Sequence, residues 1–254
     1  MTPRLSIIIP AHNDAAALAR TLVHLATLPG VERSETIVAA CGDPATTARA
    51  VAGRARLLRP PASTRAALMN AGAAAAGGET LLFLHADSFP PPDGFASIDK
   101  AMADARVLGG AFAHRFLEPR WSLRAISRIN RMRYRITRNY YGDQGLFVRA
   151  EVFRRMGGYR PLDILEDLDF SRRLKRMGRT ALIPVPLHTS GRRFLARGPW
   201  RTFCFIVWLL ALHTLGLETQ PYAERYRGPE GLPPGSPWPQ RRARRAGMAP
   251  GEAA

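Results

Sequence analysis

Lysine is almost missing from this chain: Lys100 and Lys175 stand alone, and the rest of its 37 basic residues are arginine. Acidic residues number only 20, which leaves a formal net charge of +17. That balance says nothing of fold, but it favours polyanionic partners: nucleic acid, anionic lipid headgroups or nucleoside diphosphates. Cysteine is scarce as well. Cys41 and Cys204 lie far apart, offering neither a disulfide framework nor zinc-ligand spacing, so a reducing cytoplasm is the expected setting. No apolar run reaches the roughly 20 residues of a comfortable spanning helix. The short run at residues 5–9 stops at Pro10 and has strand character, which excludes it as a signal-peptide core. With 254 residues and 46% apolar content, one α/β domain with a sizeable core is expected over residues 1–227. Residues 228–254, rich in Pro, Gly, Ala and Arg without periodicity, read as a disordered basic tail.

What the chain does contain is a series of strand-to-turn junctions. Residues 5–9 read as a strand, and the loop after it carries Pro10, His12, Asn13 and Asp14. Ala15, Leu18, Leu22, Leu25 and Leu28 then recur at helical spacing, with Asn13 or Asp14 as cap and Pro29-Gly30 as the stop. Residues 36–40 and 56–58 read as further strands separated by a helix over 46–53. In the stretch FLHADS, the strand at residues 81–84 runs into His85, Ala86 and Asp87. Open α/β sheets bind ligands beyond the carboxyl ends of their strands, so Asp87 stands where Mg²⁺ or Mn²⁺ bridging two phosphates needs an oxygen ligand. Most aspartates after strands are simple turn formers, and Asp87 alone does not distinguish the two.

Several segments in order resemble the family 2 glycosyltransferases: SIIIPAHND, MNAGAAAAGGETLLFLHADS, GDQGLFVRAEVF and ILEDLDFSRRLKRMG. The likeness spans roughly residues 4–217 and is nearest to a small single-domain bacterial subgroup with FLHAD, GDQ, ED and TSGRR motifs. It implies the nucleotide-sugar-binding GT-A fold, a mostly parallel central sheet flanked by helices. It also implies an inverting transfer of a sugar from a nucleotide-sugar donor to an acceptor hydroxyl, aided by a divalent cation, Mn²⁺ or Mg²⁺. Asp87 matches the last aspartate of the family's metal motif, while His85 replaces an acidic residue there and is a second candidate ligand; His188 is a third. By resemblance to the ED motif, Asp167 is the catalytic base, with Glu166 beside it. Physically, neighbouring carboxylates disfavour joint ionisation and raise one pKa, whereas a helix dipole acts the other way; both residues can also serve merely as helix caps.

The same resemblance places Pro10, His12, Asn13, Asp14, Arg65, Asn70, Ala86, Asp87, Arg192 and Arg193 at the nucleotide sugar, the last two arginines clamping phosphate with their planar forks. It places Gly142, Asp143 and Gln144 at the acceptor, though locally they also read as a polar turn. One departure bears on the donor base: Ala40 occupies the position where the family has a pyrimidine-contacting aspartate, which leaves the base open.

Two features concern partners. Arg124, Arg128, Arg131, Arg133, Arg135 and Arg138 lie in an expected helix over residues 121–137. Residues 200–217 are apolar with arginines before them and read as an interfacial or a core helix. The interfacial alternative puts the protein at the inner face of the membrane, with an acceptor that is lipid-linked. Two other functions have partial support in the sequence. A nucleotidyltransferase needs a glycine-rich phosphate loop near the N-terminus, which AHNDAAAL lacks. A nucleic-acid-binding protein is suggested by charge alone, and no nucleic-acid partner is expected.

Overall fold

The computed structural model describes residues 4–61 and 64–227, so the expected disordered tail at 228–254 lies outside the described residues. In the first half, β1 (Leu5–His12), α1 (Ala15–Ala26), β2 (Ser34–Cys41), α2 (Pro44–Val51), β3 (Arg56–Leu58), α3 (Arg65–Ala74), β4 (Thr80–Phe83), β5 (Ser88–Phe89) and α4 (Gly94–Met102) follow one another. The second half adds β6 (Val107–Phe116), α5 (Trp121–Thr137), β7 (Leu146–Arg149), α6 (Ala150–Arg155), α7 (Glu166–Met177), β8 (Arg179–Thr189), α8 (Arg192–Arg197), α9 (Pro199–Thr214) and α10 (Ala223–Arg227).

The strands form one sheet in the order β3-β2-β1-β4-β7-β6-β8-β5. β3, β2, β1 and β4 run parallel, and β6 runs parallel to β8; β7 lies antiparallel between β4 and β6, and β5 antiparallel to β8. The sheet is therefore mixed but mostly parallel, with helices on both faces, as GT-A architecture requires. Alternation along β1 shows why the run is so apolar. Ile7 and Ile9 pack with Leu18, Leu22 and Ile98 on one face, while Ile8 packs with Met69, Phe83 and Phe170 on the other.

Pro10 does not end β1, which continues to His12. The Ile8 carbonyl accepts from Leu84 N, so it points toward β4; Pro10, two residues on, turns its nitrogen to the same side, past the last β1–β4 pair at Ile8–Phe83. Its missing N–H therefore costs no ladder bond. β2 also extends to Cys41, and α1 begins after Asp14 without a side-chain cap, because that carboxylate is turned elsewhere.

Candidate active site

Beyond the carboxyl ends of β1 and β4 opens a cleft of about 680 Å³ lined by Pro10, His12, Asn13, Asp14, Arg65, His85, Ala86, Asp87, Asp143, Glu166, Asp167, Arg192 and Arg193. Three bonds fix the turn that presents Asp87. Thr21 of α1 donates to the Ala86 carbonyl at 2.7 Å, Ser88 N donates to His85 O at 3.2 Å, and Ser190 N donates to Asp87 O at 3.2 Å. The segment after β8 is held in turn by Glu118, which accepts from Gly191 N at 2.7 Å and Ser190 Oγ at 3.1 Å. This brings Arg192 between two carboxylates: it pairs in bidentate fashion with Asp14, and its Nη2 lies 3.6 Å from Asp87 Oδ2. Burial pushes the Asp87 carboxyl pKa up; the Arg192 cation opposes that shift and the Asp14 charge adds to it.

Across the cleft, α7 starts at the acidic pair. Leu165, just before it, holds a left-handed φ of 63°, a conformation a branched apolar residue rarely adopts and one that turns both carboxylates inward. Phe170 and Leu174, fully buried one turn apart, anchor the helix, each contributing about 1.5–3 kcal/mol. Glu166 and Asp167 are themselves only 2% and 6% exposed. Arg65, at the start of α3, holds both: its Nε donates to Glu166 Oε1, and its Nη2 donates to Asp167 Oδ2 at 3.2 Å. Asp167 further accepts from Gly142 N at 2.6 Å and Leu168 N at 2.7 Å.

Burial pushes the Glu166 pKa up against the pull of Arg65, with Asp167 adding to the rise. For Arg65, burial acts to lower the pKa, and the two carboxylates more than reverse it. The third Arg65 nitrogen, Nη1, donates to His85 Nε2 at 2.6 Å. A guanidinium cannot accept, so this imidazole nitrogen offers its lone pair and the ring is neutral. Burial, then the Arg65 charge, hold the His85 pKa well below its ordinary value.

On the side of the cleft facing α5, Asp143 sits with Asn130, Arg133 and Tyr141. Arg133 lies 4.2 Å over the Tyr141 ring. Asp143 Oδ2 is 3.6 Å from His114 Nε2, which also meets Thr189 Oγ1 at 2.5 Å, while Asp143 Oδ1 is buried without a hydrogen-bond partner.

Some expected site residues do other work. Asn70 is absent from the cleft lining: its amide accepts from Tyr159 N and donates to Tyr159 O, both at 2.9 Å, clamping the segment before α7. Gln144 is fully buried, accepting from Tyr141 N and donating to Phe112 O, each at 2.9 Å. Gly142 positions Asp167 through its N–H. His188 pairs with Phe89 in the sheet, outside the cleft lining. Ala40 is buried in β2, and Asp43 accepts from Thr46 N at 2.8 Å as the cap of α2. Conversely, Asn130, Arg133, Tyr141 and Tyr226 line the cleft but carry no sequence motif; only the 3.6-residue period of α5 separates the inward Arg133 from its outward neighbours.

Among the described residues, no group of three or more His, Cys, Asp or Glu is arranged to hold a metal ion alone. Magnesium-type sites take one or two carboxylates and complete their shell with substrate phosphates and water. Asp87 and Asp14, which flank one guanidinium, fit that donor set; His85, engaged by Arg65, does not extend it.

Comparison with known proteins agrees with the fold. A mannosyltransferase, PcManGT from Pyrobaculum calidifontis, solved with GDP-Man and Mn²⁺, is 19% identical with a TM-score of 0.59, over 75% of this chain and 57% of that one. TarS 1–349 of S. aureus, solved with UDP-GlcNAc, is 15% identical with a TM-score of 0.56, over 74% of this chain and 58% of that one. The chain thus spans less than two thirds of either structure's length. No curated protein sequence matches it. The glycosyl transferase family 2 model matches residues 6–156, more than half of the sequence, and the chain belongs to that family.

Proposed function

We propose that this protein transfers a sugar, with inversion, from a nucleotide-sugar donor to an acceptor hydroxyl. The observation that carries this reading is the facing of two opposed groups across one cleft: Asp87 with Arg192 on one wall, and the bonded carboxylate pair Glu166 and Asp167 on the other. The volume of about 680 Å³ suits a nucleotide sugar, and the nucleotide sugars bound by the structural neighbours support the same donor class.

Asp167 accepts the proton of the acceptor hydroxyl as its oxygen attacks the anomeric carbon. A new carbon–oxygen bond forms, the bond from that carbon to the diphosphate breaks, and the diphosphate leaves with the electron pair. Arg192 and Arg193 meet the developing negative charge. Asp87 and Asp14 would hold a divalent cation beside the diphosphate, and that cation would supply further charge neutralisation. Arg65 and Gly142 N–H aim the base, and Glu166 fixes Arg65. Asp143, half-exposed at the cleft wall, binds the acceptor or the transferred sugar. With Ala40 giving no polar contact, the donor base is read by other groups.

The experiment has two parts. A thermal-shift screen of nucleotide sugars with and without Mn²⁺ identifies the donor. Asp167→Asn is then expected to abolish transfer while donor affinity stays within about threefold of the parent, because the base acts on the acceptor. Near-normal turnover in that variant removes Asp167 from the chemistry.

A further inference from the structure

No helix among the described residues is long and apolar enough to cross a membrane. Yet α5 and α9 leave an unusual amount of apolar surface in water. On α9 only Thr202 and Leu209 are buried. Trp200, Cys204, Val207, Trp208 and Ala211 are all exposed, and at 3.6 residues per turn they fall within an arc of about 100°. α5 has three faces. Its buried face includes Leu123, Ile126 and Tyr134. Beside it run Trp121, Ile129, Met132 and Ile136, which are 67%, 42%, 61% and 80% exposed and share an arc of about 80°. Adjoining that stripe, Arg124, Arg128, Arg131 and Arg135 occupy an arc of about 60°.

The two apolar stripes meet, since the rings of Trp121 and Trp200 are 6.2 Å apart. Near α9, a shallow notch lined by Arg201, Phe205, Trp208 and Arg225 sets two guanidinium groups beside aromatic surface. Apolar surface with tryptophans at its centre and arginines along its border is the composition that buries shallowly in a lipid interface and attracts anionic headgroups. A second protein copy would have to present acidic groups to those arginines, and the chain as a whole is strongly basic.

We propose that α5 and α9 together form a docking surface for an anionic phospholipid bilayer. The inner sides of the same helices bound the cleft, Asn130 and Arg133 from α5, Phe203 and Ile206 from α9, so a hydroxyl acceptor anchored in that bilayer would enter between them. This last consequence rests on the glycosyltransferase reading above; bilayer docking itself does not.

The test is sedimentation of the full chain with vesicles of phosphatidylcholine alone or containing phosphatidylglycerol. The parent is expected to bind the anionic vesicles and to bind less as salt rises. Met132→Glu with Ile136→Glu on α5, and Val207→Glu on α9 with Leu215→Glu at its C-terminal cap, alter exposed residues outside the cleft; each pair, if folded by circular dichroism, should weaken binding at least tenfold. Arg124→Gln, Arg128→Gln and Arg135→Gln together should weaken it on the order of 100-fold, about fivefold for each arginine.

Absence of parent binding, or apolar variants that bind like the parent, overturns the proposal; the latter result would mean adsorption by net charge alone. A stable dimer in sedimentation velocity that the same variants convert to monomers also overturns it, assigning the face to a second copy. Donor affinity, measured without vesicles, is unaffected in every arm, so failure here and failure of the glycosyltransferase reading are told apart.

Discussion

Adding one methyl group at Gly142 tests how the proposed base, Asp167, is aimed. A Cβ there would lie 2.5 Å from His85 Nε2, 3.1 Å from Asp167 Oδ2 and 3.2 Å from Arg65 Nη2. Non-bonded carbon contacts settle near 3.5 Å, so about 1 Å must open against a half-buried imidazole that Arg65 holds in place. Either His85 withdraws from Arg65 or the backbone retreats and lengthens the 2.6 Å bond from Gly142 N to Asp167. Overpacking of this kind costs about 1–3 kcal/mol, a fall in melting temperature of roughly 2–12 °C. Misplacing a reacting group by about 1 Å lowers turnover about 100-fold. Gly142→Ala should therefore remain folded and bind donor normally, while kcat for nucleoside diphosphate release with acceptor falls by about two orders of magnitude. If kcat stays within threefold of the parent while the melting temperature drops as expected, the tight packing around Asp167 is structural and the bond from Gly142 does not aim a base.

Three further substitutions separate the other roles. Asp87→Asn should raise the melting temperature at pH 8 and weaken Mn²⁺-dependent donor binding. Because burial raises the Asp87 pKa, its ionised form opposes folding above that pKa and the opposition vanishes as pH falls through it, so the stability gain should shrink toward pH 4; a gain independent of pH refutes the assignment. Arg192→Gln should weaken nucleoside diphosphate binding about 10- to 150-fold in calorimetry, the worth of one charge-assisted phosphate bond at about 1.5–3 kcal/mol. A change under threefold would place the phosphates elsewhere. Gln144→Leu should cost about 1–3 kcal/mol for each of the two backbone groups it leaves unpaired, lowering thermal stability; equal stability would mean the buried amide is dispensable.

Elements whose cause is local were legible in the sequence, and those whose cause is distant were not. The bounds of α5 and β3 follow from helical arginine and apolar spacing and from turn residues on either side. Local sequence ends β1 at Pro10, because the cost of a missing N–H depends on which neighbour faces it, and that neighbour lies more than 70 residues away in β4. The antiparallel insertion of β7 between β4 and β6 likewise has no local signature. Asp87, Asp167 and Arg192 stand in motifs, and the structure brings all three to one cleft. Asn70 and Gln144 also stand beside motifs, yet their amides bond backbone; a polar side chain next to a site looks the same in sequence whether its partner is a ligand or a carbonyl. Arg133 was one of six arginines in a row of similar spacing, and only the direction of the helix face distinguishes it.

The bonds around Asp167 have a consequence for how activity is lost. Its carboxylate is held from α3 by Arg65, from the loop before β7 by Gly142 and from its own helix by Leu168, while Arg65 is steadied from the turn after β4 by His85. Four stretches of chain far apart in sequence must be docked together before the proposed base, Asp167, points into the cleft. Local opening of any one, which proteins undergo at free-energy costs ranging up to that of global unfolding, would end the proposed transfer while most of the sheet is intact. In mild denaturant, turnover should consequently fade ahead of the far-ultraviolet signal, and the gap between the two curves measures how loosely the least stable of the four segments is fastened.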